Sequence, residues 1–328
     1  MKRRRPTSDY PSYTSNLVPL RPSVRSRLLR GASRSTVKRL ADRAQVDPRA
    51  IRRARVVIDQ VMRLTAFPVH GTTVEVVVAG TVRGEWTRPP VVSSDAAVLY
   101  VHGGGFVAGS PRGYRGVAGR LTAALGLPVF VVDYRLAPEH RNPAAGDDID
   151  AAFEWLVRQG FAADRIVVAG DSAGGHLATE LMLARADRGL TPPAALVLFS
   201  PMTDLGLGLV TPDRANDDGL LSLKVARAAV AHYLDGRSAV PDLRPTPGSA
   251  LPPVLVQASD CELFTGDAVE LADRLRRAGA SCELQLWPGQ MHVFQLLVNL
   301  VPEATRAHRA AAQFVLPLVR PGADRIAG

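Results

Sequence analysis

Three short stretches of the 328-residue chain bring together residue types whose spacing suits nucleophilic acyl transfer. The first is Gly170-Asp171-Ser172-Ala173-Gly174, followed by Gly175 and preceded by the apolar run Ile166-Val167-Val168-Ala169. A serine between glycines at a strand-to-helix junction sits on a turn too sharp for flanking side chains. That turn lifts its hydroxyl above the strand ends, at the positive end of the following helix. Ser172 is the predicted nucleophile. The second stretch, His102-Gly103-Gly104-Gly105-Phe106, begins 70 residues before Ser172 and also follows an apolar run. Three glycines let the backbone fold close to a substrate and leave N–H groups facing inward, as an oxyanion hole requires. Gly103, Gly104 and Gly105, with the N–H of Ala173, are the predicted donors. His102 leads this loop and is expected to serve as a structural hydrogen-bonding group.

The third stretch must supply a base and an acid. Of seven histidines, only His292 lies in a loop just after a late strand-like run, in Trp287-Pro288-Gly289-Gln290-Met291-His292. It is the predicted general base, taking the serine proton and returning it to the leaving group. His308 falls within a predicted final helix and is expected at the surface. The segment Gln257-Ala258-Ser259-Asp260-Cys261-Glu262-Leu263 offers two carboxylates, and either Asp260 or Glu262 could orient His292.

The elements that must position these residues alternate. Strand-like runs at Val74–Ala79, Ala96–Val101, Val129–Asp133, Ile166–Ala169, Ala195–Phe199, Val254–Ala258 and Glu283–Leu286 are short and rich in Val and Leu. Helical spacing appears at Gly146–Arg158, Ala173–Arg185, Asp267–Ala278 and Pro302–Leu318. Alternation of this kind predicts an α/β fold with a mostly parallel sheet covered on both faces. Two segments break the rhythm. Residues 24–64 have helical periodicity, with Asp47-Pro48 as an N-cap and first-turn proline. The stretch from Thr203 to Pro252 is irregular and rich in Gly, Asp and Pro. Both are candidates for a lid or cap. The expected organisation is a basic disordered tail at 1–20, an N-terminal helical segment at 21–70, and a catalytic domain at 71–328 with an insertion near 203–252.

Composition sets outer bounds. Hydrophobic content of 46% and 22% charged residues suit a globular chain. No apolar run reaches the roughly 18 residues of a membrane span. The basic start lacks the apolar region of a signal peptide. Two cysteines, Cys261 and Cys282, argue against a disulfide framework and for a reducing, cytoplasmic setting. Residues 1–63 carry 17 Lys/Arg against 4 Asp, a net of +13, whereas the remainder is net −4. Such an arm suits contact with anionic lipid or nucleic acid. Without a nucleic-acid fold signature, a solvated arm is the expectation, with neither nucleic-acid binding nor stable membrane insertion. A homodimer is compatible with the pattern, although no residues specify an interface.

Together these motifs resemble the bacterial hormone-sensitive-lipase family (family IV) of esterases. The resemblance runs from Ala97 to Phe294 and includes His102–Gly105, Asp133-Tyr134-Arg135-Leu136-Ala137-Pro138-Glu139, the Ser172 turn and Pro288-Gly289-Gln290-Met291-His292-Val293-Phe294. It implies an α/β-hydrolase fold with a helical cap, carboxylic-ester hydrolysis on a small-molecule ester, and no metal or organic cofactor. The family's Asp-Pro-Leu at the acid is absent here. An ungapped register places Glu262, 30 residues before His292, at the acid position, with Asp260 as the alternative. Phe106, Val107 and Leu205 are the expected substrate-contacting residues, among an apolar lining that suits short to medium acyl chains. The rival readings are an amide, formamide or acetyl-ester hydrolase with the same triad, and a noncatalytic small-molecule receptor on this fold.

Overall fold

The computed structural model describes residues 17–65, 67, 69–91, 95–235 and 243–320. Most of the predicted basic tail, part of the predicted insertion (236–242) and the last eight residues therefore lie outside the described residues.

Eight strands form one sheet among the described residues: β1 (Thr73–Ala79), β2 (Val82–Arg88), β3 (Ala97–Val101), β4 (Val129–Val132), β5 (Ile166–Asp171), β6 (Ala195–Phe199), β7 (Val254–Ser259) and β8 (Cys282–Trp287). Their spatial order is β1-β2-β4-β3-β5-β6-β7-β8. β1 and β2 run antiparallel to their neighbours, and β3 to β8 pair in parallel. The helices are α1 (Val24–Ser33), α2 (Arg39–Arg43), α3 (Pro48–Thr65), α4 (Pro111–Leu125), α5 (Ala144–Arg158), α6 (Ala173–Asp187), α7 (Pro212–Asp217), α8 (Leu223–Leu234), α9 (Thr265–Arg277) and α10 (Pro302–Val319), with one π-helical turn at Arg34–Lys38.

The central strands read as continuous apolar runs because both faces are covered. Alternate residues of β3 go to opposite cores. Leu99 and Val101 join residues of α5, α6 and α9, whereas Val98 and Tyr100 join residues of α4 and α10. In parallel βαβ units the chain must cross over between strands, so successive turns gather at the carboxyl ends of the strands. The turns after β3, β5, β7 and β8 carry the predicted chemistry.

The sequence pattern missed β2 and α4. The Val82-Arg83-Gly84-Glu85-Trp86-Thr87-Arg88 strand interleaves polar residues and glycine, and Arg115 on α4 is the reason: it forms a two-pronged pair with Glu85 at 2.7 and 2.8 Å. His308, expected at the surface, is 3% exposed, and its Nε2 lies 2.9 Å from the Gln295 carbonyl. The small residues Ala304, Ala307, Ala311 and Ala312 turn that face of α10 inward and take His308 with it.

The N-terminal helices are held by a local cap and by polar contacts of very long sequence separation. Asp47 caps α3 by accepting from Arg49 N and Ala50 N at 2.7 and 2.9 Å. Glu303, at the start of α10, accepts from Ser23 N at 2.6 Å and from Ser26 Oγ at 2.7 Å. Burial opposes the Glu303 carboxylate, but these donors outweigh it and hold its pKa below the ordinary value. A depressed pKa makes the contribution present above the unfolded-state value and lost as pH falls through the folded one. Replacing Glu303 by Gln should therefore cost about 1–3 kcal/mol at neutral pH. The difference from wild type should shrink as denaturant melts are taken down through about pH 4. An equal loss at both pH values would refute the assignment.

Candidate active site

The turn after β5 forces Ser172 to φ 51° and ψ −120°, outside the regions that L-residues favour. Three backbone hydrogen bonds hold it there: Ser172 N donates to Phe199 O, while Ser172 O accepts from His176 N and Met202 N. The neighbours must be glycine. A Cβ on Gly174 would stand 2.1 Å from the Val101 carbonyl oxygen, and one on Gly170 2.6 Å from that of Gly174. The serine hydroxyl thus sits at the first turn of α6, in the positive field of its unpaired N–H groups.

His292 approaches from the turn after β8. Its Nε2 lies 2.9 Å from Ser172 Oγ, and both residues are buried. Its Nδ1 lies 3.5 Å from Glu262 Oε2, at the outer limit of a hydrogen bond, and neither Nδ1 nor Glu262 Oε1 has another hydrogen-bond partner among the described residues. Such contacts are commonly long in an unliganded site and tighten when charge develops. Of the two carboxylates left open by spacing, Glu262 is the one that faces the imidazole. Asp260 instead accepts from Gly289 N at 2.7 Å and ties the acid-bearing turn to the loop that carries His292.

Two polar residues of this cluster carried no sequence signal. Ser200 Oγ donates to Glu262 Oε2 at 2.8 Å and accepts from Val293 N at 3.1 Å, so one hydroxyl bridges the acid to the residue after His292. Asp218 is buried, and its carboxylate accepts from Leu220 N, Leu221 N and Leu263 N at 2.8–2.9 Å. It spends its oxygens on backbone and clasps the segment before α8 to the turn holding Glu262.

The glycine loop narrows one expectation. Gly103 N donates to Asp171 Oδ1 at 3.0 Å and to the Tyr114 hydroxyl at 3.1 Å, so it faces into the protein and is removed from the oxyanion set. Asp171 also accepts from Tyr100 and Tyr114, at 2.9 and 3.0 Å, and burial pushes its carboxyl up to about 6. The N–H groups of Gly104, Gly105 and Ala173 have no acceptor among the described residues. Gly104, at φ 114°, has no room for a Cβ, which would meet the Ala108 carbonyl oxygen at 2.2 Å. His102 is structural, as expected: its Nδ1 is 2.9 Å from Gly103 O, its ring stacks on Tyr134, and burial lowers its pKa to about 4.

Of the expected substrate contacts, Phe106 and Val107 are buried and Leu205 borders a separate cavity. Phe106 is fully buried, stacked on Tyr233 of α8 with ring centroids 3.9 Å apart, and so anchors α8 instead of lining an open site. Val107 is buried, and its carbonyl is taken by Arg55 of α3 at 2.6 Å. Leu205 lines a cavity of about 340 Å³ with Thr203, Asp204, Leu243, Arg244 and Arg274, and none of Ser172, His292 or Glu262 borders it. Among the described residues no group of three or more His, Cys, Asp or Glu side chains is arranged to hold a metal ion.

Residues 98–296 match the family model described as alpha/beta hydrolase fold. The chain is similar to the carboxylesterase/phospholipase LipF of Mycobacterium tuberculosis, 39% identical over 245 residues, which is 69% of this chain and 64% of LipF. It is 35% identical to an acetyl-hydrolase of Streptomyces hygroscopicus, over 74% of this chain and 82% of that protein. A crystal structure of an esterase from the bacterial hormone-sensitive lipase family superposes with a TM-score of 0.80 at 29% identity, covering 90% of this chain and 99% of that one. The match to LipF thus spans under two thirds of that relative's length.

Burial penalises the imidazolium, but the Glu262 contact and charge, joined by Asp218 and Asp171, outweigh it and raise the His292 pKa above its ordinary 6.5. An NMR titration of the imidazole should place the midpoint above 6.5. In Glu262→Gln it should fall, because desolvation then acts with its main counterweight removed. An unmoved midpoint would show that Glu262 does not set it.

Proposed function

We propose that this chain, which belongs to the bacterial hormone-sensitive-lipase family of the alpha/beta hydrolase fold, hydrolyses carboxylic esters through an acyl-serine intermediate. The observation that carries this reading is the contact line from Ser172 Oγ through the His292 ring to Glu262. Ser172 Oγ attacks the ester carbonyl carbon while His292 Nε2 takes the hydroxyl proton. The carbonyl π electrons move to oxygen, where the N–H groups of Gly104, Gly105 and Ala173 are positioned to receive the charge. Collapse of the tetrahedral intermediate expels the alcohol, which leaves with the proton from His292. Water then repeats the sequence on the acyl-enzyme, giving the acid and free Ser172. Glu262 holds the imidazole orientation and offsets its transient positive charge, and Ser200 keeps Glu262 and the His292 loop in register.

The N-terminal helices α1–α3, with α7 and α8, form the cap over this site in our reading. Arg30 donates to Asp217 O, Lys38 to Leu221 O and Lys224 to Ala44 O, which supports treating the two segments as one layer. Half-buried Leu220 and Leu221, beside Asp218 and the Glu262 turn, belong to the apolar lining expected of the cap. A small apolar pocket of this kind suits short to medium acyl chains, and the name of the acetyl-hydrolase relative points the same way.

Turnover of p-nitrophenyl acetate and butyrate tests the assignment. Ser172→Ala should abolish it. Glu262→Gln should lower kcat by roughly 10³–10⁴-fold, as loss of the orienting carboxylate does in serine hydrolases. Asp260→Asn should stay within about tenfold of wild type, because it removes a single loop hydrogen bond. Retained activity in Ser172→Ala would end the nucleophile assignment, and reversal of the two acid variants would transfer the role to Asp260.

A further inference from the structure

The N-terminal helices expose apolar surface that the site does not use. On α3, one face turns inward: Ile51 is buried, Arg55 reaches the Val107 and Ala137 carbonyls at 2.6 and 2.7 Å, Asp59 bonds Ser110, and Met62 packs near Gly113. Beside that face, Ala54, Val57, Ile58, Val61 and Leu64 recur at three- and four-residue spacing, which makes a stripe along the helix. Val57, Val61 and Leu64 are 61%, 51% and 68% exposed, and Phe67 follows at 58%. Exposed Arg49 and Arg53, with Val56 beside them, lie on the flank beyond the stripe, whereas Arg52 sits next to the inward face and pairs with Glu139 at 3.5 Å. α1 repeats the arrangement, with Val24 and Leu28 exposed one turn apart beside Arg25 and Arg27. Across residues 17–65, thirteen Lys/Arg stand against three Asp, a net of +10.

We propose that this basic N-terminal layer is a peripheral docking surface for an anionic lipid bilayer, with the α3 stripe entering the headgroup region and Arg49 and Arg53 meeting lipid phosphates. An exposed apolar stripe bordered by cationic residues on one helix is the physical signature of an interfacial helix. A nucleic acid would satisfy the arginines and leave Val57, Val61 and Leu64 in water. A second copy docked on the same face would set two arginine-rich surfaces against each other across a twofold axis. Peripheral docking needs no spanning segment, and among the described residues no helix is long and apolar enough to cross a membrane.

Vesicle co-sedimentation of the full chain carrying Ser172→Ala tests this, because binding is then read without turnover and stands apart from the ester-hydrolysis assignment. The protein should pellet with vesicles of equimolar phosphatidylglycerol and phosphatidylcholine. Affinity for pure phosphatidylcholine should be roughly tenfold weaker, and it should fall as NaCl rises from about 0.1 to 1 M. The double variants Val57→Asp/Leu64→Asp and Arg49→Glu/Arg53→Glu should each weaken binding by roughly tenfold or more. In the Ser172 background both should keep wild-type p-nitrophenyl ester turnover, which shows that the fold survives. Failure of the parent to pellet, or pelleting of Val57→Asp/Leu64→Asp like the parent, would overturn the proposal. So would a lipid-free dimer in sedimentation velocity that this variant dissolves, since the stripe would then be a self-interface.

Discussion

The site depends on one close approach of backbone to backbone, where β5 turns into α6 beneath the end of β3. Ser172 holds its hydroxyl above the strand ends in a strained conformation of the sort that costs on the order of 1–3 kcal/mol. That strain persists because the surrounding chain leaves no alternative. The Gly174 Cα lies so near the Val101 and His102 carbonyls that no side chain fits. The Ser172 peptide is bonded on both sides to the turn after β6. The same contact brings the glycine loop beside the turn, so the N–H groups of Gly104, Gly105 and Ala173 are fixed relative to the hydroxyl by the sheet itself.

Around that turn the protein buries more carboxylates than cations, and each has a separate solution to desolvation. Asp171 receives two tyrosine hydroxyls and Gly103 N. Asp218 receives three backbone N–H groups. Asp267 receives Thr203 N and Asp204 N, yet burial still pushes its carboxyl up to about 7. Glu262 is the exception, with one hydroxyl donor and an imidazole at 3.5 Å. A carboxylate left this poorly satisfied gains most when its neighbour becomes a cation, which is the state that the proposed proton uptake from Ser172 would create. The under-bonded acid and the raised His292 pKa are one fact seen from two sides.

Ser172 and His292 were legible because their positions follow from constraints that leave a local trace: glycines where side chains cannot fit, and a loop after a late strand. The residues alone left Asp260 and Glu262 both open, and only the register of the family resemblance put Glu262 first. Two residues apart on an irregular turn, they point in different directions, and only the pairing of Asp260 with Gly289 N shows which one is already committed. Ser200 and Asp218 are common residue types placed by contacts 62 and 45 positions away, so nothing local distinguishes them. Phe106 misled for a related reason. An aromatic after a glycine loop suggests a pocket wall, but its ring found Tyr233, 127 residues further on.

The N-terminal helices show why the boundary between site and surroundings is not the boundary of the sheet. Arg55 is one planar group whose Nε and Nη2 donate to the carbonyls of Val107 and Ala137, and Nη2 also meets Glu139 at 2.6 Å. Ala137 N in turn donates to Phe106 O, which closes a ring of contacts around the residues following Gly105. A guanidinium presents its donors in a rigid fork, so α3 and the glycine loop cannot shift independently without breaking several charge-assisted bonds at once. The helix that exposes the apolar stripe therefore also fixes the loop that carries the N–H groups of Gly104 and Gly105. Arg55 is thus the group through which α3 and the residues following Gly105 are held in one packed unit.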